Sequence, residues 1–110
     1  MPVYERKYSE DGEDVAVLYS PGYGAGWSTW NTSDNSEQML FDKRLVEAAL
    51  VGVKHIEPLA EEIFGEDTPY LSGWSSVRVC WIKKGKKFFI REYDGSESIV
   101  LEDEIDWSIA

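Results

Sequence analysis

The last third of the chain places the strongest constraint on the fold, because it contains three runs of strand-forming residues separated by short turns. The runs are Val77–Ile82, Lys87–Tyr93 and Ser98–Leu101. The segments between them, Lys83–Lys86 and Asp94–Ser96, contain glycine and are short enough for hairpins. This pattern predicts a three-stranded antiparallel meander.

One further strand and two helices are expected upstream. Val15–Tyr19 is a continuous apolar run, typical of a strand that is buried on both faces. Asp42 is the predicted N-cap of a helix over Lys43–Val51. A second helix is expected over about His55–Phe64, where apolar residues recur at helical spacing opposite glutamates. We therefore predict an α+β fold: an antiparallel sheet of about four strands with two short helices on one face.

The segment between the first strand and the first helix is expected to lack regular structure. Asn31–Ser36 consists of turn and cap residues and is interpreted as a polar surface loop, and Met39–Phe41 as a short extended stretch. Residues 1–110 are expected to form a single domain, because this length is near the commonest domain size. Hydrophobic residues make up 43% of the chain, which is enough to build a core.

Charge and cysteine content limit the class of protein. The formal net charge of −10 opposes non-specific binding to nucleic acid, which depends on basic residues. It favours basic partners, although many soluble proteins are equally acidic. Cys80 is the lone cysteine, and neither a membrane-length apolar run nor a secretory signal is visible. We expect a soluble protein of a reducing cytoplasm, with no direct contact to nucleic acid or membrane.

Signatures of catalysis are weak. The glycines of Gly22–Gly26 fit neither a phosphate-binding P-loop nor a dinucleotide fingerprint. His55 and Cys80 have no neighbours at metal-ligand spacing, so neither a metal nor another cofactor is predicted. Glu92 and Asp94 share a strand face and are a candidate acid–base pair. Asp-Gly is, however, also a common hairpin turn, and this interpretation is preferred.

Two loops that combine glycine with aromatic residues are the main candidates for recognition. Ser20–Asn31 carries three alternate glycines beside large aromatic rings, and Glu66–Ser76 repeats the mixture. If the loops lie together, they form an aromatic-walled concavity for a flat ligand or a partner's side chain. About half of the five tryptophans are instead expected in the core. The candidate ligand- or partner-binding residues are Tyr23, Gly24, Gly26, Trp27, Ser28, Trp30, Asn31, Tyr70, Trp74 and Arg91.

The end of the chain offers a second candidate surface. It is acidic, and its candidate residues are Glu102, Asp103, Glu104 and Asp106. Such a surface can dock on a basic region of a partner protein, although a solvated tail has the same composition. Lys83–Lys87 is either an exposed hairpin tip or a contact between subunits of a homo-oligomer.

Two motifs resemble those of a group of small uncharacterised bacteriophage proteins. They are Ser20-Pro21-Gly22-Tyr23-Gly24-Ala25-Gly26-Trp27-Ser28-Thr29-Trp30-Asn31 and Glu92-Tyr93-Asp94-Gly95-Ser96-Glu97-Ser98, with Leu40-Phe41-Asp42 between them. The similarity runs from about Val15 to Trp107. Phe89 and Arg91 depart from the alternation of basic and acidic residues in the family's corresponding strand. The resemblance implies a phage or prophage protein in a host bacterial cytoplasm, and it transfers no catalytic residue.

These observations favour a non-enzymatic phage accessory protein that counters a bacterial host system, in particular defence, by binding. In one mechanism the aromatic loops enclose a nucleotide-like signal. In the other the acidic surface and a helix face dock on a host protein, including one that normally holds nucleic acid. The alternatives are a small enzyme that uses Glu92 and Asp94, and a minor virion or assembly protein.

Overall fold

The computed structural model describes residues 4–22, 26–31 and 33–104, whose helices and strands form an α+β fold. The four strands in these residues are β1 Asp14–Tyr19, β2 Arg78–Lys83, β3 Phe88–Tyr93 and β4 Ser96–Leu101. The three α-helices there are α1 Ser33–Phe41, α2 Lys43–Val51 and α3 Ile56–Phe64. The fold class, the number of strands and the bounds of α2 agree with the sequence-based prediction.

The first strand, β1, lies at the centre of the fold and is buried on both faces, as its continuous apolar run predicts. Ala16 and Leu18 belong to a core cluster formed mainly with the helices. Val15 and Val17 belong to a second cluster on the other side of the strand. Because alternate residues of a strand point to opposite faces, β1 contributes to both parts of the core.

The strands form two two-stranded antiparallel sheets rather than one sheet. β1 pairs with β2, beginning with Asp14 opposite Lys83. β3 pairs with β4 across the turn formed by Asp94 and Gly95, whose φ angles of 51° and 84° suit a tight two-residue hairpin. β2 and β3 follow each other in the chain but do not pair in the described residues, so the predicted three-stranded meander is not confirmed.

Apolar side chains on the β3–β4 hairpin explain this arrangement. Phe88, Ile99 and Leu101 pack against the second core cluster, which contains Val17 and Ile82. These contacts bury apolar surface when the hairpin folds over one face of the β1–β2 sheet. A hairpin that merely extended the sheet would leave this face of β1 uncovered. As a result, β1 lies between the helices and the β3–β4 hairpin.

Helix α1 corrects the prediction of a polar loop and an extended stretch in this region. Its last turn carries Met39, which is fully buried, and Phe41, which joins the second core cluster. The Met39 carbonyl accepts a hydrogen bond from the indole Nε1 of Trp27 at 2.8 Å. Packing at the end of the helix therefore outweighs the poor helix propensities of the serine and asparagine residues at its start.

The junction between α1 and α2 is built on Asp42, which caps α2 as predicted. Its Oδ1 accepts a hydrogen bond from the backbone N of Arg44 at 2.9 Å. Its Oδ2 accepts hydrogen bonds from Gln38 Nε2 at 2.9 Å and Arg44 Nη2 at 2.8 Å. Burial by itself raises the pKa of Asp42, but the hydrogen bonds from Arg44 and Gln38 outweigh it and hold the pKa below its ordinary value.

Candidate functional site

A buried glutamate near the start of β4, Glu97, holds the glycine- and tryptophan-rich stretch in place. Its Oε1 accepts a hydrogen bond from the backbone N of Ser20 at 2.9 Å. Its Oε2 accepts hydrogen bonds from the backbone N of Trp27 at 2.8 Å and of Thr29 at 3.1 Å. The Thr29 hydroxyl donates another to Oε2 at 2.5 Å. Among the residues that the structure describes, no lysine or arginine pairs with Glu97, so neutral donors stabilise its charge.

The loop around this carboxylate places Trp27 in the core. Its side chain has no exposed surface, and its indole hydrogen bond to Met39 satisfies the one polar atom of the ring. Ser28 is buried beside it. Gly26 is needed at this point, because a Cβ atom there would lie 2.5 Å from the Trp30 ring. Trp27 is therefore one of the structural tryptophans, and it presents no surface to a ligand.

The two aromatic loops lie together, and the side chain of Asn31 joins them. Its Nδ2 donates hydrogen bonds to the carbonyl of Trp27 at 2.8 Å and to that of Tyr70 at 3.0 Å. Its Oδ1 accepts one from the backbone N of Tyr70 at 2.7 Å. The amide thus pairs with the backbone of the second loop much as a neighbouring strand would.

Because the two loops lie together, Trp30 and Tyr70 form an exposed aromatic pair. The ring centroids are 5.7 Å apart, with an interplanar angle of 26°. Trp30 is 39% exposed and Tyr70 is 50% exposed. Stacked rings that remain open to solvent offer a flat surface that is already ordered, so little side-chain entropy is lost when a partner binds.

An acidic face lies beside Tyr70. We use this name for the exposed carboxylates Glu57, Glu61, Glu62, Glu66 and Asp67. The one-turn helix Gly65–Asp67 contacts α1 through a hydrogen bond from Asn35 Nδ2 to the Asp67 carbonyl at 3.3 Å. Asp67 is three residues before Tyr70 in the chain. Asp67 is therefore the member of the acidic face that the chain brings nearest to the aromatic pair.

The other predicted binding residues lie elsewhere or outside the described residues. Trp74 is half-buried and packs against the core cluster of the helices. Arg91 lies on β3 opposite Ser98, with its guanidinium 5.9 Å from the Phe89 ring centroid. No contact described by the structure joins Arg91 to the aromatic pair. Tyr23, Gly24 and Asp106 lie outside the described residues.

The acidic end of the described chain contacts the lysine-rich turn after β2. Glu102–Glu104 form a one-turn helix, and Asp103 pairs with Lys86. The hydrogen bond from Lys86 lowers the pKa of Asp103. The backbone N of Glu102 donates a hydrogen bond to the Lys87 carbonyl at 2.9 Å. Opposite charges that are segregated along the sequence thus meet in the fold.

The residues of the enzymatic alternative, Glu92 and Asp94, both lie on the β3–β4 hairpin. Asp94 occupies the hairpin turn with φ of 51°, and both it and Glu92 are exposed. Within residues 4–22, 26–31 and 33–104, no group of three or more His, Cys, Asp or Glu side chains is arranged to hold a metal ion. No helix in these ranges is both long and apolar enough to cross a membrane.

A scan against protein-family models found no match, and searches of curated proteins and of solved structures found none either. The resemblance to phage proteins therefore stays a prediction. Sequence reasoning missed Glu97 as a site residue. The motif Glu92–Ser98 contains it, but seven acidic residues follow Arg91 in the chain, and only the fold separates this one from the others.

Proposed function

We propose that this chain is a non-enzymatic binding protein that covers a basic surface of a partner protein, with the aromatic pair and the acidic face as its contact surface. The observation that carries the proposal is the exposed stack of Trp30 on Tyr70. Tryptophan, tyrosine and arginine dominate the binding energy of protein interfaces. The resemblance to phage proteins makes a host bacterial protein, in particular a component of defence, the expected partner.

The order of the aromatic pair supports a recognition role. Asn31 fixes Tyr70 through two hydrogen bonds that link the two loops, and a third anchors Asn31 to the Trp27 carbonyl. Glu97 fixes the backbone on both sides of Gly26. A surface of this kind binds with little rearrangement, since its rings are held before the partner arrives.

Charge favours one of the two mechanisms that the sequence leaves open. The exposed Glu66 and Asp67 precede Tyr70 by four and three residues, and the whole chain carries a net charge of −10. A nucleotide phosphate would be repelled there, whereas an arginine of a partner can stack on the rings while its charge is attracted to the carboxylates. The surroundings of the pair thus favour a basic protein over a nucleotide-like signal.

A capture experiment with matched variants tests this proposal. The chain and its variants Trp30→Ala, Tyr70→Ala and Glu66→Lys/Asp67→Lys are immobilised on beads and incubated with bacterial lysate. The retained proteins are then quantified by mass spectrometry. Tyr93→Ala is the control, because Tyr93 is an aromatic residue that is 76% exposed on the β3–β4 hairpin. We expect a basic protein that the wild type and Tyr93→Ala retain and the other variants lose. Equal retention by Trp30→Ala would contradict the proposal.

Defined peptides separate the two mechanisms further. We expect an octapeptide of arginine to quench tryptophan fluorescence at lower concentration than an octapeptide of lysine, because guanidinium groups stack on aromatic rings. This preference should disappear in Trp30→Ala. Tight binding of ATP that Trp30→Ala abolishes, with no preference between the peptides, would favour the nucleotide-like ligand instead.

A further inference from the structure

A cavity of about 440 Å³ lies between β2 and β4, on the side of the β1–β2 sheet that the β3–β4 hairpin covers. This volume is within the range of small-molecule sites, roughly 300–1,000 Å³. Four side chains give it an apolar wall, namely Cys80, Ile82, Ile99 and Leu101. The same four belong to the second core cluster or pack against it, so the wall is an extension of the core.

The sulfur in this wall adds no charge. Burial raises the pKa of the Cys80 thiol, which keeps the side chain neutral at physiological pH. The apolar space therefore suits a hydrocarbon chain, whose burial is favourable in proportion to the area removed from water.

One end of the cavity is cationic. Lys83 and Lys86 line it, and no aspartate or glutamate is among its lining residues in the part of the chain that the structure describes. Lys86 also pairs with Asp103. Asp14 stands opposite Lys83 in the strand register, but no ion pair between described residues includes Lys83. In a chain with a net charge of −10, a cavity lined by the Lys83 ammonium and apolar side chains is complementary to an anionic head on an apolar chain.

We propose that this cavity binds a single-chain anionic amphiphile of the fatty-acid class. The hydrocarbon chain lies between β2 and β4, and the carboxylate is placed at Lys83. Trp81, which is 40% exposed, also lines the cavity and would report the occupied state. The site is separate from the aromatic pair, and the proposal does not rest on the proposed function.

Titration with saturated fatty acids below their micelle concentrations tests the proposal, with tryptophan fluorescence as the signal and Trp81→Phe to assign it. From octanoate to decanoate we expect about fourfold tighter binding for each added CH₂, the factor that about 0.8 kcal/mol per buried CH₂ implies. Bound laurate should also slow alkylation of Cys80. Dodecyltrimethylammonium, which has the opposite head charge, should bind at least tenfold more weakly than laurate.

Matched variants locate the two ends of the ligand. Lys83→Gln should weaken laurate about fivefold, the upper range for one exposed ion pair. Lys84→Gln makes the same charge change but should have no effect, because the Lys84 ammonium lies over the Tyr8 ring, 5.6 Å from its centroid, and does not line this cavity. Cys80→Leu narrows the cavity and should weaken laurate while leaving octanoate unchanged. A thermal melt of each variant checks that it folds.

Two results would overturn the proposal. Laurate and dodecyltrimethylammonium could bind equally well, and equally to Lys83→Gln. This result would indicate non-specific adsorption to the protein surface. Affinity that does not depend on chain length would indicate that no apolar cavity is filled.

Discussion

Asp42 and Glu97 are both buried carboxylates at junctions between elements, but they differ in the distance and the kind of their partners. Asp42 binds Gln38 and Arg44, which lie within four residues of it, and one of its partners is a cation. Glu97 binds backbone and hydroxyl donors of the Ser20–Thr29 stretch, between 68 and 77 residues earlier in the chain. The first carboxylate organises a local helix junction, and the second closes a long loop.

This difference determines what each junction controls. The side chain of Asp42 bonds only within α1 and the start of α2 among the described residues, so its loss loosens one corner of the fold. The junction at Glu97 forms only when β4 has been placed beside the end of β1, where the Glu97 backbone N also donates a hydrogen bond to the Ser20 carbonyl at 2.8 Å. The exposed pair of Trp30 and Tyr70 depends on this second junction, and binding should therefore be more sensitive to Glu97 than to Asp42.

Replacement of Glu97 should have the largest effect on stability. Glu97→Ala leaves three backbone N–H groups without their acceptor, and we expect a loss of about 5 kcal/mol, since each buried unsatisfied donor costs about 1–3 kcal/mol. Glu97→Gln keeps one carbonyl oxygen and should lose about half as much. Urea unfolding measures both.

The control for this comparison is the glutamate directly opposite on β3. Glu92 faces Glu97 in the strand register but is exposed. Glu92→Ala should change the free energy of unfolding by less than about 0.5 kcal/mol. Equal effects of the two substitutions would show that the carboxylate of Glu97 does not hold the loop.

Trp27→Ala should have the next largest effect, about 4 kcal/mol, because it removes a fully buried ring from the core of the helices. Trp27→Phe retains much of the volume but loses the hydrogen bond to the Met39 carbonyl, and it should cost about 2 kcal/mol. Thermal and urea unfolding give the comparison. A cost below about 1 kcal/mol for Trp27→Ala would place the ring outside the core.

Asp42→Asn should cost about 2 kcal/mol, because the amide keeps an N-cap acceptor but loses the ionic hydrogen bonds to Arg44, whose side chain is half-exposed. The pKa of Asp42 is lower in the folded state, so its contribution is complete above the unfolded pKa of about 3.9 and is lost as the pH falls through the folded pKa. Urea unfolding between pH 2 and pH 6 gives the free energy of unfolding as a function of pH. Below pH 4 this free energy should change less steeply with pH in Asp42→Asn than in the wild type. Identical slopes would contradict this role.

The same contrast explains how much the sequence can predict. Asp42 was predictable as an N-cap because its partners are close in the chain and follow a known local pattern. The strand runs and α2 were predictable for the same reason. The pairing of β2 with β1, the helix that ends in Met39, and the role of Glu97 depend on contacts between distant segments, which no local pattern contains. In the candidate site, composition identifies Trp30, Asn31 and Tyr70. The sequence does not show, however, that Trp30 is exposed and Trp27 is buried, because this difference depends on the fold.

Trp30→Ala should have the smallest effect on stability and the largest on binding. Its ring is 39% exposed and its described ring contact is Tyr70, so its loss should cost less than about 1 kcal/mol. Binding to a basic partner should fall at least tenfold, because a tryptophan at the centre of an interface contributes about 2 kcal/mol or more. Urea unfolding and calorimetric titration of one preparation measure the two quantities together. If Trp30→Ala instead destabilised the fold as much as Trp27→Ala, both rings would be structural, and the glycine-rich stretch would serve only to bury Glu97.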